Sequence, residues 1–195
     1  MRRVPSLVFA CTVLAIAGCA SAPPTLVALP SPPAHAAGPA RDDAPLLHVR
    51  HVHVPDYLDG LPVVTGRDGQ ALVVADRTEW AERPSQGVTR VLRDGLAQRL
   101  GSSHVLLARE GRRADAELTV ELVALDPQRD GLHLDARWSL ACRAGGDSTA
   151  GRTTTVVAMP SATPQGVAVA TSDALSALAD AVAVAAHSLH CTGRT

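Results

Sequence analysis

The sequence contains no lysine and no asparagine, and every one of its 18 basic residues is arginine. Phenylalanine and tyrosine occur once each, and isoleucine only at Ile16. The bias suits a G+C-rich coding sequence, and it also removes chemistry. Without lysine there is no phosphate-cradling Walker lysine, no Schiff base and no Ser-Lys dyad. Positive charge is not clustered either. Once Arg2 and Arg3 are set aside, 16 basic residues stand against 19 acidic ones with the signs interspersed, so nucleic acid is not an expected partner. Cysteine is scarce, at four residues, and none has the C-x-x-C spacing of a metal site.

What is present begins at the start of the chain. Arg2 and Arg3 precede an almost unbroken apolar run from Val4 to Ala17, and Ile16-Ala17-Gly18-Cys19 has the small-residue pattern of a lipobox. The run is short for a bilayer span and is followed by small residues and prolines, so residues 1–18 read as a cleaved lipoprotein signal peptide. Cys19 then becomes the acylated N-terminus, bearing diacylglycerol and an N-acyl chain such as palmitate; this covalent lipid is the only prosthetic group expected. An ordinary secretory signal cut after Ala20 or Ala22 is the alternative. Ala20, rather than an aspartate, follows Cys19, which makes the periplasmic side of the outer membrane the expected address.

Residues 19–45 hold seven prolines among alanines, a composition that predicts an extended tether with no helix or sheet ladder. The remaining stretch, 46–195, is long enough for one domain with its own core. Cys11 is lost with the signal and Cys19 is acylated, which leaves Cys142 and Cys191. In an oxidising compartment these two invite a disulfide, worth about 4 kcal/mol on the chain-entropy model. Two separate thiols are the alternative.

Within the domain, Leu46 to Val54 reads as a strand ended by Pro55, and Arg67-Asp68-Gly69-Gln70 as the turn of a hairpin joining Val63-Val64 to Ala71–Ala75. Val88, Val91, Leu92, Leu96 and Leu100 then mark one helix face, with Arg90, Arg93, Asp94 and Arg99 opposite, Ser85 as N-cap and Gly101 as C-cap. Leu118 to Ala124 and Leu132 to Leu140 alternate with period two and form a second hairpin. A further strand spans Thr153 to Met159, and a long helix lies within Gln165 to His190. The pattern predicts an α+β, two-layer fold: a mixed, mainly antiparallel sheet with two amphipathic helices packed on one face.

These elements carry a resemblance. Val52-His53-Val54-Pro55-Asp56-Tyr57-Leu58-Asp59-Gly60, Pro62 to Thr65, Glu79-Trp80-Ala81-Glu82, the helix from Gly87 to Leu100 and Leu134 to Leu140 together resemble the ABC-type transport auxiliary lipoproteins of the PqiC-like kind. The resemblance runs through most of 46–190. Two departures stand out: Leu26-Val27-Ala28-Leu29-Pro30 lacks the aromatic of the family's Y-x-L-x-P-like start, and Gly60 stands where arginine is common. The resemblance implies an accessory subunit of an envelope lipid transporter. Its partners are then a membrane permease, a cytoplasmic ATPase and a periplasm-spanning MCE-domain protein, with a second copy of the chain as a further one.

Pro55, Asp56, Tyr57 and Leu58, with Trp80 beyond them, form the expected partner contact, because an exposed aromatic in a proline-led stretch anchors an interface well. Packing of Tyr57 and Leu58, and of Trp80 as well, into the core is the competing reading. Trp138 is expected in the core. His51 and His53 share a face of a strand and His48 the other, so solvated histidines are expected rather than a metal site. Gly146-Asp147-Ser148 has the look of a hydrolase nucleophile turn, with only His187 and His190 as candidate bases; no catalytic set is expected. A lipid carrier holding an acyl chain between helix and sheet, beside Ala177, Ala181 and Ala185, is the alternative function.

Overall fold

The computed structural model describes residues 22–32, 44–106 and 112–192. The signal, Cys19 and residues 33–43 of the expected tether lie outside the described residues. Among the described residues, seven strands and two α-helices follow one another as β1 (Thr25–Val27), β2 (Leu47–Val49), β3 (Pro62–Asp68), β4 (Ala71–Trp80), α1 (Pro84–Leu100), β5 (Ala116–Gln128), β6 (Gly131–Cys142), β7 (Ser148–Val157) and α2 (Pro164–His187).

The α+β class is as the periodicity implies, but the strands form two sheets, ordered β1-β4-β3 and β2-β5-β6-β7. The larger one rests on the β5–β6 hairpin, paired from Ala116↔Cys142 to Gln128↔Gly131 with one shift of register between Leu122 and Ala124. Its alternation sends Leu118, Val120, Leu122, Leu132, Leu134, Ala136 and Leu140 inward, each at most 2% exposed. Polar partners line the opposite face, where Arg152 clasps the Asp135 carboxylate. That clasp holds the Asp135 carboxyl below the usual carboxylate range, chiefly through hydrogen bonding. Trp138 stands half-buried on the inward face, laid over Gly151 of β7, where a Cβ would come within 2.4 Å of the indole. Its Nε1–H donates to Thr153 Oγ1 at 3.1 Å.

The helices cover this inward face. α2 crosses β6 and β7 and packs beside α1. Val88, Val91, Leu92, Leu96 and Leu100 of α1 and Leu175, Leu178 and Val182 of α2 are nearly or wholly buried, each worth about 1.5–3 kcal/mol of hydrophobic stabilisation. α2 has the length and apolarity of a membrane span, yet two thirds of its most apolar window is buried inside the protein. It serves as the core helix. Ala177, Ala181 and Ala185 lie on its flank, only partly buried, while Ala170, Ala174, Ala179 and Ala186 face the core.

Composition misleads at four places. The proline-rich stretch predicts a tether with no ladder through Pro45, but Thr25–Val27 pairs in parallel with Thr78–Trp80, and Val27 and Leu29 join the core. A long-range partner supplies there what local propensity denies. The second strand continues past Ala75 to Trp80 through a bulge, where Arg77 takes φ 44°. Ser85 is not the N-cap of α1: the helix is led by Arg83 and Pro84. The Asp59 carboxylate instead accepts the Ser85 N–H at 2.8 Å and the Ser85 hydroxyl at 3.1 Å, a cap supplied from another loop. Arg99, read as a solvent-facing charge, is 8% exposed and lies between the helices.

The expected disulfide is present. Cys142 and Cys191 are bonded with their Cα atoms 5.3 Å apart, tying the end of β6 to the segment after α2. The same junction is stitched by the Asp147 N–H to His190 O and the Thr192 N–H to Gly145 O.

Candidate functional site

The segment from Pro55 to Asp59 is a tight turn in which Pro55 O accepts the Leu58 N–H at 2.8 Å and the Asp59 N–H at 3.2 Å. The turn separates its side chains. Leu58 points into the core, while Asp56 and Tyr57 are exposed, Tyr57 at 44%. The two competing readings therefore divide between adjacent residues: Leu58 packs and Tyr57 is presented.

Tyr57 is not loose. Its hydroxyl donates to Asp126 Oδ1 at 3.2 Å, and the Arg67 guanidinium, itself 3.0 Å from Asp126, lies 5.5 Å above the ring centroid. Partial burial, followed by the Asp126 charge, raises the phenol above its ordinary pKa. Asp126 comes from the end of β5 and Arg67 from β3, so three distant segments hold one ring. Neither was visible as a partner in sequence, because the pairing is made by the topology.

Trp80 lies at the end of β4, four residues before α1 begins, and its backbone N–H donates to Leu61 O at 2.6 Å. Its indole and Leu58 line one apolar cleft with Leu29, Pro84, Val88 and Leu125. The cleft encloses about 30 Å³, the share of a single water and far short of an acyl chain. Leu26 and Leu61 are exposed at 61% and 41%. Leu26 and Pro62 flank Glu79 in the ladder, which brings these apolar groups to the end of the small sheet where the Pro55–Asp59 turn leads in. The expected contact residues thus fall into two groups: Leu58 and Trp80 share the cleft near Leu26 and Leu61, while Tyr57 is held by Arg67 and Asp126, Arg67 lying toward the hairpin end of β3.

The other candidate chemistry is dispersed. Among the described residues no group of three or more His, Cys, Asp or Glu is placed to hold a metal ion. Ser148 opens β7 opposite Ala141, and His190 pairs with Asp147 at 3.3 Å. Glu117 takes Arg50 and Arg143, each at 2.9 Å. The histidines depart from the alternation rule: β2 ends at Val49, the strand geometry lapses, and His48 and His51 line one groove while His53 bridges to Glu121.

The model of a family described as "ABC-type transport auxiliary lipoprotein component" matches residues 28–183. Among solved structures, a protein described as uncharacterized aligns with TM-score 0.67 and 20% identity, over 84% of this chain and 99% of its own. A Xanthomonas campestris protein of the DUF330 family aligns with TM-score 0.63 and 14% identity, over 83% of this chain and 93% of its own. At these identities the likeness concerns the fold. A search of curated proteins returns no match.

Proposed function

The chain belongs to the family of ABC-type transport auxiliary lipoprotein components, and from that premise we propose that it is a non-catalytic accessory subunit of an envelope lipid transporter. In this reading Cys19 carries the lipid that holds the protein at the outer membrane. The folded domain docks a periplasm-spanning MCE-domain protein, whose permease and ATPase supply transport and energy. Acylation confines the domain to a surface, which raises its effective concentration and lets a weak contact suffice.

The observation that carries the docking surface is the fixed presentation of Tyr57. An exposed ring clamped by Asp126 and Arg67 loses little conformational freedom on binding, which is what makes rigid aromatics good anchors. The test is a photo-crosslinking amino acid at position 57 in the full chain, expressed in its native host. The expected product joins the chain to an MCE-domain protein, with no such product from position 137 on the outer face of the large sheet. Equal crosslinking from both positions, or none from 57, overturns the assignment.

A further inference from the structure

A groove of about 290 Å³ runs between α1 and the chain leaving β2, lined by His48, Val49, His51, Gln86, Thr89 and Arg93 among others. Its two walls are fastened together. The Val52 N–H donates to Thr89 Oγ1 at 2.9 Å, and that hydroxyl donates to Ser85 O at 2.6 Å. Gln86, Thr89 and Arg93 share one helix face by their spacing, and no carboxylate is among the lining residues.

One cation in this groove has no counter-charge among the described residues. Arg67, Arg90 and Arg99, the other arginines withdrawn from solvent among the described residues, each hold a carboxylate: Asp126, Glu82 and Asp180. Arg93 makes no hydrogen bond or ion pair among the described residues, although its Nε is shut off from solvent. His48 Nδ1 is likewise shut off from solvent without a hydrogen-bond partner. The nearest acid, Glu117, lies 4.0 Å from that nitrogen, too far for a hydrogen bond, and is already taken by Arg50 and Arg143. A cation partly stripped of water and left without a counter-charge is unfavourable. An anion in the groove removes that cost.

We propose that the groove binds a phosphate group. The terminal nitrogens of the Arg93 guanidinium and the Gln86 amide from α1, facing His51 on the other wall, offer donors from two sides, and a tetrahedral oxyanion has oxygens to accept from several of them at once. A phospholipid headgroup and free phosphate present the same chemistry. The site does not depend on anchoring at Cys19 or on docking at Tyr57.

The experiment titrates the full chain, purified in detergent, with inorganic phosphate and separately with dihexanoyl phosphatidic acid below its micelle concentration, at constant ionic strength. Saturable binding of at least one of them is expected, with Arg93→Gln raising Kd at least tenfold and Arg137→Gln leaving it unchanged. Binding of the lipid alone identifies a headgroup site; comparable binding of both identifies phosphate itself. The ligand should raise the melting temperature of the wild type and not that of Arg93→Gln. His48→Gln provides a second variant and is expected to weaken binding severalfold. No saturable binding by the wild type, equal binding by Arg93→Gln, or binding matched by acetate overturns the proposal.

Discussion

Replacing Cys191 with serine is expected to lower the unfolding free energy by about 4 kcal/mol, as estimated from closure of a loop of 49 residues. In a domain of this size that corresponds to a fall in melting temperature of about 8–16 °C. The bond closes the stretch that holds β7 and all of α2, so the unfolded chain gains most of its freedom where the core helix is made. The backbone bonds between the Gly145–Asp147 turn and His190–Thr192 persist in the folded state without the bridge. Secondary structure at low temperature should therefore be unchanged. Cys142→Ser and the double variant should melt with the single one, and reduction of the wild type should reproduce them. Thermal unfolding followed by circular dichroism, with and without reductant, checks this; coincident curves for reduced and oxidised wild type would contradict it.

Arg99→Ala is expected to cost about 3 kcal/mol. The guanidinium enters between the helices because Gly95 and Ala179 leave no side chain in the way; a Cβ on Gly95 would approach that of Ala179 at 3.2 Å. There it donates to Asp180 at 2.6 Å, to Ser176 O and Oγ at 3.0 and 2.8 Å, and to Gly95 O at 2.9 Å. Truncation leaves the buried Ser176 without this donor and opens a void lined by both helices. Arg99→Lys should recover only part of the loss, because one ammonium cannot span acceptors arranged for a planar fork. Urea denaturation midpoints give the ordering wild type, lysine, alanine; an alanine variant as stable as the wild type would remove the cross-helix clasp from the account.

The same arginine shows where sequence reading stops. The alternation of Leu118, Val120 and Leu122 and of Leu132 to Leu140 was legible because one-sided burial imposes a period of two, but the bulge after Leu122, which puts Leu125 rather than Ala124 in the core, was not. The cysteine pair was legible from compartment and elimination. Arg99 was not, since charge type places it on a polar face and only the close approach of the helices at Gly95 brings it inside. β1 escaped notice because three residues among prolines gain their ladder from β4, more than fifty positions away. The N-terminus of α1 is served by Asp59 rather than a local cap for the same reason.

The candidate site divides along this line. Tyr57 and Leu58 were chosen by residue type in a proline-led segment and Trp80 as an aromatic beyond it; the fold brings Leu58 and Trp80 into one cleft. What separates their roles is non-local. The turn at Pro55 turns Leu58 inward, and Arg67 and Asp126, from β3 and β5, fix Tyr57 outward. The groove at Arg93 was hidden by assuming that strand alternation continues to His51, whereas β2 ends at Val49.

The proposed function makes Cys19 the lipid anchor that holds the domain at a surface. Its most direct test is fractionation of cells carrying the full chain, wild type or Cys19→Ala, with recovery of the proposed MCE-domain partner measured in parallel. The wild type is expected in the outer-membrane fraction with its partner, and the variant outside that fraction with partner recovery reduced. A Cys19→Ala protein that stays in the outer membrane and recovers its partner undiminished would contradict the account.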